Sequence, residues 1–312
     1  MGAITAADIA VRGAARTGRR RHARRWENAM TRPLVSVIVP VYNHARYVEA
    51  ALLSVIRQTW RPIELIVIDD GSQDESADIA SALLRYEMPD AVVLRRENRG
   101  AHNTINQGLG MSTGEYLAIL NSDDSFHPSR IERCVETALR ARRDFVFTGV
   151  SFLDGEGERV ESNDFIEAIR RVETLSERYP TIGYALMKNQ VAVSSGNFFF
   201  SRRLYEQLGG FRHYRYVHDW DFILRALFYT EPYFIREPMY NYRLHETNSF
   251  RSLGSVEGNE TSEVMRNFLW LMTARLPENP LAPCPHYWPG YFDWFIRTWS
   301  YQVYMPSRLR AA

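Results

Sequence analysis

"LVSVIVPVYNHARYVEAALLSVIRQ", residues 34–58, decides how the rest of the chain is read. Its first part, 34–42, is a continuous apolar, β-branched run, as a strand buried on both faces requires. Its second part sets Tyr47, Val48, Ala51, Leu52, Val55 and Ile56 on one helical face, with Asn43 as the expected N-cap. A buried strand feeding an amphipathic helix is the opening of a strand–helix–strand unit, and the pattern repeats. "ELIVIDD" (64–70) is a second buried strand, and Asp74 is placed to cap a helix carrying Ile79, Ala80, Leu83 and Leu84. "AVVL" (91–94) is a third strand, followed by a short helix near 103–110. "EYLAIL" (115–120) is a fourth, followed by a helix over 128–142. "DFVFTGVSFL" (144–153) is a fifth. Such alternation predicts an α/β fold with a mostly parallel central sheet flanked by helices.

Beyond residue 160 the pattern loosens. "VAVSSGNFFFS" (191–201) reads as a further strand, "HDWDFILRALF" as a helix, and "YFIREPMYNYRLH" as short strands. The organisation expected is a basic, solvated and disordered tail over 1–32, one domain over 33–255, and a helical, aromatic-rich extension over 256–312. Within the domain, two halves are expected, 33–125 and 126–255.

Composition narrows the function. The 312 residues are 45% hydrophobic with a formal net charge of +1, so the folded body offers no reason to bind nucleic acid. Positive charge is local: eight arginines fall within residues 1–32 against Asp8 and Glu27. Cys134 and Cys284 form neither a disulfide framework nor a metal site. No stretch has the apolar core of a secretory signal or the length of a membrane span, which reads as cytoplasmic. The only lysine, Lys188, stands outside any G-x-x-x-x-G-K-[ST] loop, so P-loop chemistry is excluded.

Ligands of an open parallel sheet bind beyond the carboxyl ends of its strands. Three polar clusters fall there: Tyr42–Asn43, Asp69–Asp70, and the Asp123–Asp124 of "NSDDSFHP". Adjacent carboxylates at the end of a buried strand are costly unless paired, and a hard divalent cation carrying a phosphate group would pair them. The plain alternative is that one of them caps the following helix. "HDWDF" adds Asp219 and Asp221 at a helix start, and "YRLHETNS" adds Arg243 and His245.

The ordered set "VSVIVPVYNHARYVEAALLSVIRQT", "ELIVIDDGSQDES", "NRGAHNTINQG", "GEYLAILNSDD" and "GGF…HDWDFILR" resembles the family 2 glycosyltransferases of the GT-A fold. The resemblance covers about residues 33–250, and it implies that 33–125 is the nucleotide-binding half and 126–255 the acceptor half of a catalytic domain. It implies an inverting, metal-dependent transferase that moves a sugar from a nucleotide-sugar, a UDP-sugar in the first instance, to a hydroxyl of a glycan or lipid-linked acceptor in surface polysaccharide synthesis. Carried over by position, Pro40, Tyr42 and Asn43 would line the nucleotide pocket and Asp70 would contact base or ribose. Asp123 would face the ribose or sugar, and Asp124 would be the ligand of Mn²⁺ or Mg²⁺. Asp219 would be the general base, with Asp221 as its competitor. His245 would be a second metal ligand or phosphate contact, with Arg243 beside it on the donor.

Two departures stand out. Asn121 replaces a frequent acid two places before Asp123, and Ile105 replaces a frequent arginine before Asn106. A sugar nucleotidylyltransferase is disfavoured, since residues 34–45 hold neither glycine nor lysine. A non-catalytic relative that binds the nucleotide-sugar would be expected to lack the metal acid or the base, and both are here. The aromatic tail "HYWPGYFDWFIRTWSYQVYM" suits peripheral contact with a membrane, a packed terminal helix, or a dimer contact.

Overall fold

The computed structural model describes residues 32–246, 248 and 257–306. The expected basic tail lies outside the described residues apart from Arg32, as does the expected boundary near 255. Residues from Leu34 onward cluster into one compact unit.

The sheet forms from β1 (Val35–Val41), β2 (Ile63–Asp69), β3 (Val92–Arg95), β4 (Tyr116–Ile119), β5 (Ser125–Phe126), β6 (Phe145–Leu153), β7 (Phe199–Ser201) and β8 (Tyr233–Arg243). Their order is β3-β2-β1-β4-β7-β6-β8-β5. The first four pair in parallel, joined by α1 (Val48–Ile56), α2 (Ser76–Glu87) and α3 (Ala101–Met111). Beyond β4 the sheet is mixed, because β7 runs antiparallel to both β4 and β6 while β6 and β8 are parallel.

Burial follows the strand period. Ile38 of β1 joins one core cluster, while Val37 and Val39 join the cluster on the other face. Each such side chain contributes roughly 1.5–3 kcal/mol on full burial, which is why this run could not be a surface segment. α4 (Arg130–Ala141) lays Ile131, Cys134, Val135 and Ala138 on the second cluster.

Three expectations change. Of 191–201, only Phe199–Ser201 is strand. Val191 to Asn197 instead fold through local turns and one 3₁₀ turn, with Val193 left-handed at φ 70° and Ser194 capping Gly196. The "YFIREPMYNYRLH" stretch is one long strand, β8, rather than several. A bulge absorbs its irregularity at Gly149, where a Cβ would lie 2.5 Å from the Arg236 carbonyl. Asn43 does not cap α1, whose N-cap is Tyr47. Asp74 accepts from Ser76 N at 3.0 Å and so sits at the entry to α2.

The aromatic tail packs. α10 (Tyr291–Thr298) buries Phe292, Phe295 and Ile296 in the cluster that holds Tyr184 of α6 (Ile182–Lys188) and Phe222 of α8 (His218–Ala226). Its other face shows Trp294 to solvent, and Trp299 at its C-cap is exposed as well. Among the described residues, no helix is long and apolar enough to cross a membrane.

Candidate active site

The carboxyl ends of β1, β2 and β4 lie side by side, and residues at and after the end of β8 reach the acids that follow β4. Asn43, at φ 54°, donates its N–H to Ser72 Oγ (2.9 Å) and accepts from Gln73 N on Oδ1 (2.8 Å). Ala45 N donates to Asp74 Oδ2 (3.0 Å), so the β1 loop is fastened to the β2 loop at several points. Pro40 lies in β1 opposite Ile68, and Tyr42 is exposed at its end.

Beside these loops a cleft of about 660 Å³ is lined by Asp69, Gly71, Ser72, Gln73, Asp74, Asp78, Arg95, Arg96 and others. The two acids that end β2 divide their work. Asp70 accepts from Arg99 N (2.9 Å), Gly100 N (2.8 Å) and the Arg96 guanidinium (2.8 Å), so both its oxygens hold the turn into α3. Asp69 accepts from Ser72 N (3.1 Å), but its buried Oδ1 has no partner, and neither does the buried Nε of Arg96. Orphaned buried polar atoms in a cleft are costly without a ligand. The sequence marked Asp69 only as part of the strand-end pair, with no role of its own, and did not mark Arg96.

The acids after β4 divide in the same way. Asp124 is 1% exposed. It accepts from the Tyr240 hydroxyl, from Arg243 N (2.8 Å) and from Asn121 Nδ2 (3.2 Å). Burial, then the charge of Asp123, pushes its carboxyl well above the ordinary range against these bonds. Asp123 instead meets two imidazoles. His245 Nε2 lies 2.9 Å from its Oδ2 and His44 Nε2 lies 3.8 Å away. Burial works to raise Asp123, but the His245 hydrogen bond and the charges of His44 and His245 outweigh it and hold it below its ordinary value.

His44, His245 and Asp123 form a set whose ligand atoms all lie within 4.8 Å of one another. Two imidazoles and a carboxylate suit Mn²⁺ as a borderline-hard ion, and suit Mg²⁺ less well. The sequence pointed to His245 for this purpose but paired it with Asp124, and it did not mark His44. His44 is oriented by Ser122 Oγ on its Nδ1 (2.8 Å), and burial first of all lowers its pKa. Arg243 is 5% exposed and already engaged: its Nε donates to Asp123 O (2.8 Å) and its Nη1 to Asp154 O (3.0 Å).

Asp219 opens α8 half-buried, accepting from Trp220 N on Oδ1 (2.6 Å). Burial pushes its carboxyl up to about 6. Asp221 is tied into an ion pair with Arg225 (2.7 Å) and Arg212 (3.3 Å), which removes it as a competitor for base. Burial raises the phenol of Tyr242 in β8 most, and the charges of Asp124, Asp123 and Asp219 add to the shift.

A parallel half-sheet with acids at its strand ends, a cleft beside them and a mixed second half defines a GT-A type α/β fold. The solved structure of TarS from S. aureus in complex with UDP-GlcNAc is similar, with a TM-score of 0.57 at 20% identity over 75% of this chain and 65% of that one. The mannosyltransferase PcManGT of Pyrobaculum calidifontis, solved with GDP-Man and Mn²⁺, is similar with a TM-score of 0.59 at 19% identity, over 87% of this chain and 74% of that one.

Residues 36–209, more than half of the chain, match the profile of Glycosyl transferase family 2, and the chain belongs to that family. An uncharacterized glycosyltransferase of Rickettsia typhi is 29% identical over 70% of this chain and 66% of its own length. The putative glycosyltransferase EpsH of Bacillus subtilis is 29% identical over 69% of this chain. The chain thus spans about two thirds of the length of these relatives, 62% in the case of EpsH.

Proposed function

We propose that the protein is an inverting, metal-dependent glycosyltransferase that moves a sugar from a nucleotide-sugar, first among them a UDP-sugar, to a hydroxyl of a glycan or lipid-linked acceptor. The carrying observation is the His44–Asp123–His245 set at the carboxyl end of a family 2 sheet, in a chain that also opens α8 with the half-buried acid Asp219. TarS and PcManGT, solved with UDP-GlcNAc and with GDP-Man and Mn²⁺, support a nucleotide-sugar as donor. A surface polysaccharide is the acceptor this reading favours.

Asp123, His245 and His44 would hold Mn²⁺ or Mg²⁺, which when bound neutralises the diphosphate of the donor and of the departing nucleotide. We assign the metal to Asp123 rather than Asp124, because Asp124 spends its oxygens on Tyr240, Arg243 and Asn121. Asp69 accepts an N–H of the base on its orphaned Oδ1, while Asp70 and Asn43 hold the loops that shape the cleft, with Pro40 and Tyr42 at its β1 side. Arg243 keeps the β8 end against the Asp123 carbonyl. Asp219 takes the proton of the acceptor hydroxyl as that oxygen attacks the anomeric carbon from the face opposite the nucleotide. One displacement inverts the configuration. A carboxyl raised to about 6 is a stronger base than an ordinary aspartate yet still ionised at neutral pH.

The test is release of UDP or GDP from a panel of nucleotide-sugars, with and without Mn²⁺, for wild type, Asp123→Ala and Asp219→Asn. Mn²⁺-dependent release from one donor, lost in Asp123→Ala, is expected. Mn²⁺-independent release, or none together with no nucleotide binding, would sink the reading.

A further inference from the structure

The helix that carries Asp219 is held from the C-terminal end of the chain. Between α7 (Arg202–Leu208) and α8 the chain crosses residues 209–217, and the first half of this loop is bound to α3. Asn106 of α3 donates to Phe211 O (2.8 Å) and accepts from Phe211 N (2.8 Å), and His213 Nδ1 meets His102 Nε2 at 2.8 Å. α3 is in turn the helix whose entry Asp70 holds at the end of β2. The loop thus leaves an element fixed to the strand ends and runs into His218 and Asp219.

Its second half is gripped by α9 (Glu257–Ala274), the long helix of the C-terminal extension. Glu260 Oε1 accepts from Arg215 N (2.9 Å), and Oε2 accepts from Tyr216 N (2.8 Å) and Val217 N (3.4 Å). One carboxylate gathers three successive backbone N–H groups, and hydrogen bonds to a full charge are the strong ones. Val217 is the N-cap of α8, and its carbonyl receives the Asp221 N–H (2.9 Å), so the carboxylate fixes the residue from which the helix starts. Asp219 follows two positions later.

Further contacts come from the same face of α9. Glu263 and Asn267 stand three and seven residues beyond Glu260, one and two turns along the helix. Glu263 Oε1 accepts from the Tyr214 hydroxyl (3.1 Å), and Asn267 Nδ2 donates to it (3.2 Å). Tyr214 and Val217 are buried in the cluster that also takes Val264, Phe268 and Leu269. Apolar packing is non-directional and holds the loop against α9 without fixing its register; the three N–H groups on Glu260 fix it.

We infer that Glu260 is a positioning residue for the transfer reaction: it sets the entry of α8 and thereby the place of the Asp219 carboxylate against the donor. The inference rests on the transferase reading and on Asp219 as its base. Glu260 acts through α8, without touching donor or acceptor. A misplacement of about 1 Å at a reacting group costs on the order of a hundredfold in rate, so the loss appears in turnover and not in donor binding. The C-terminal extension is then part of the catalytic unit.

The experiment compares wild type, Glu260→Ala, Glu260→Gln, Asp219→Asn and the double variant Glu260→Ala/Asp219→Asn. Turnover is read as nucleotide release from the nucleotide-sugar that the donor panel selects, with p-nitrophenyl glycosides or water as acceptor. Calorimetric titration with UDP and Mn²⁺ reads the donor site, and thermal melting reads the fold. Glu260→Ala is expected to lower kcat about tenfold or more, with the UDP dissociation constant within about twofold of wild type. Glu260→Gln keeps one acceptor oxygen and should lose less. The double variant should match Asp219→Asn within about twofold, because a residue that acts through another loses its effect when the other is gone.

An unchanged kcat in both Glu260 variants would overturn the inference. So would a parallel loss of kcat and UDP binding, since Glu260 would then hold the fold as a whole. If Glu260→Ala melts too low to assay, Glu260→Gln decides: a fall in kcat with unaltered UDP binding upholds the inference, and no fall overturns it. A double variant slower than Asp219→Asn by the full factor of Glu260→Ala places the effect away from Asp219 and overturns it too. Turnover retained in Asp219→Asn refutes the base assignment and the inference with it. Turnover lost there but unchanged in the Glu260 variants refutes the role of Glu260 alone.

Discussion

Asp123 and Asp124 are neighbours in sequence with opposite structural duties, and alanine at each should give opposite phenotypes. Removing the Asp124 carboxylate strands the N–H of Arg243, which is 5% exposed, and leaves the Tyr240 hydroxyl, on a side chain with no exposed surface, only the Ser194 hydroxyl at 3.4 Å. A buried donor without an acceptor costs about 1–3 kcal/mol, so the two together cost up to about 6 kcal/mol. Set against a typical total of about 5–15 kcal/mol, Asp124→Ala should be severely destabilised. Asp123 meets only His245 and His44, and its removal should cost about 1 kcal/mol or less. Urea unfolding followed by far-ultraviolet circular dichroism measures the first difference. Calorimetric titration with UDP, with and without Mn²⁺, measures the second. Asp123→Ala should fold normally and lose the Mn²⁺-dependent part of nucleotide binding, whereas Asp124→Ala at a temperature where it remains folded should keep much of it. If Asp124→Ala proves as stable as wild type but loses Mn²⁺-dependent binding, the division of labour is refuted and the metal belongs to Asp124.

Three further outcomes can be checked. Asp219, raised by burial to about 6, binds more protons folded than unfolded between about pH 4 and 6, so its contribution to stability is lost as pH rises through that window. That loss approaches about 3 kcal/mol at one pKa unit per 1.36 kcal/mol; Asp219→Asn should be the more stable protein at pH 8, while wild-type transfer rises with pH through about 6. Glu231, raised by burial to about 7, accepts from Gly183 N and Asn279 Nδ2, and Glu231→Gln should raise the urea midpoint at pH 8, with the gap closing toward pH 4.5. Finally, Asp69→Ala should weaken UDP binding by about 1–3 kcal/mol, on the order of five- to 150-fold, as expected if its orphaned oxygen accepts from the base. An unchanged dissociation constant would remove Asp69 from the donor cleft.

Much of the architecture is legible in residues 33–153, because burial on both sides of a parallel sheet writes itself as continuous apolar runs, and helices between them carry a 3.6-residue stripe. The three polar clusters at the strand ends follow from the same pattern. It fails at 191–198, where apolar residues look like a strand but the Ser194–Gly196 cap and the left-handed Val193 fold the chain into turns. Periodicity carries no information about such local bonds.

Sequence alone therefore determined the fold class, the family and the acids at the ends of β2 and β4. Which acid of each pair is taken up by donors of the protein itself was decided by tertiary structure. Asp124 turns inward because Tyr240 and Arg243, more than a hundred residues later, bring their donors to it, and Asp70 because Arg99 and Gly100 do. His44 becomes a candidate ligand only through Ser122 and Asp123. A carboxylate's local sequence says that it must be paired; only the folded chain supplies the partners, and the oxygens they leave free are those that can meet a ligand.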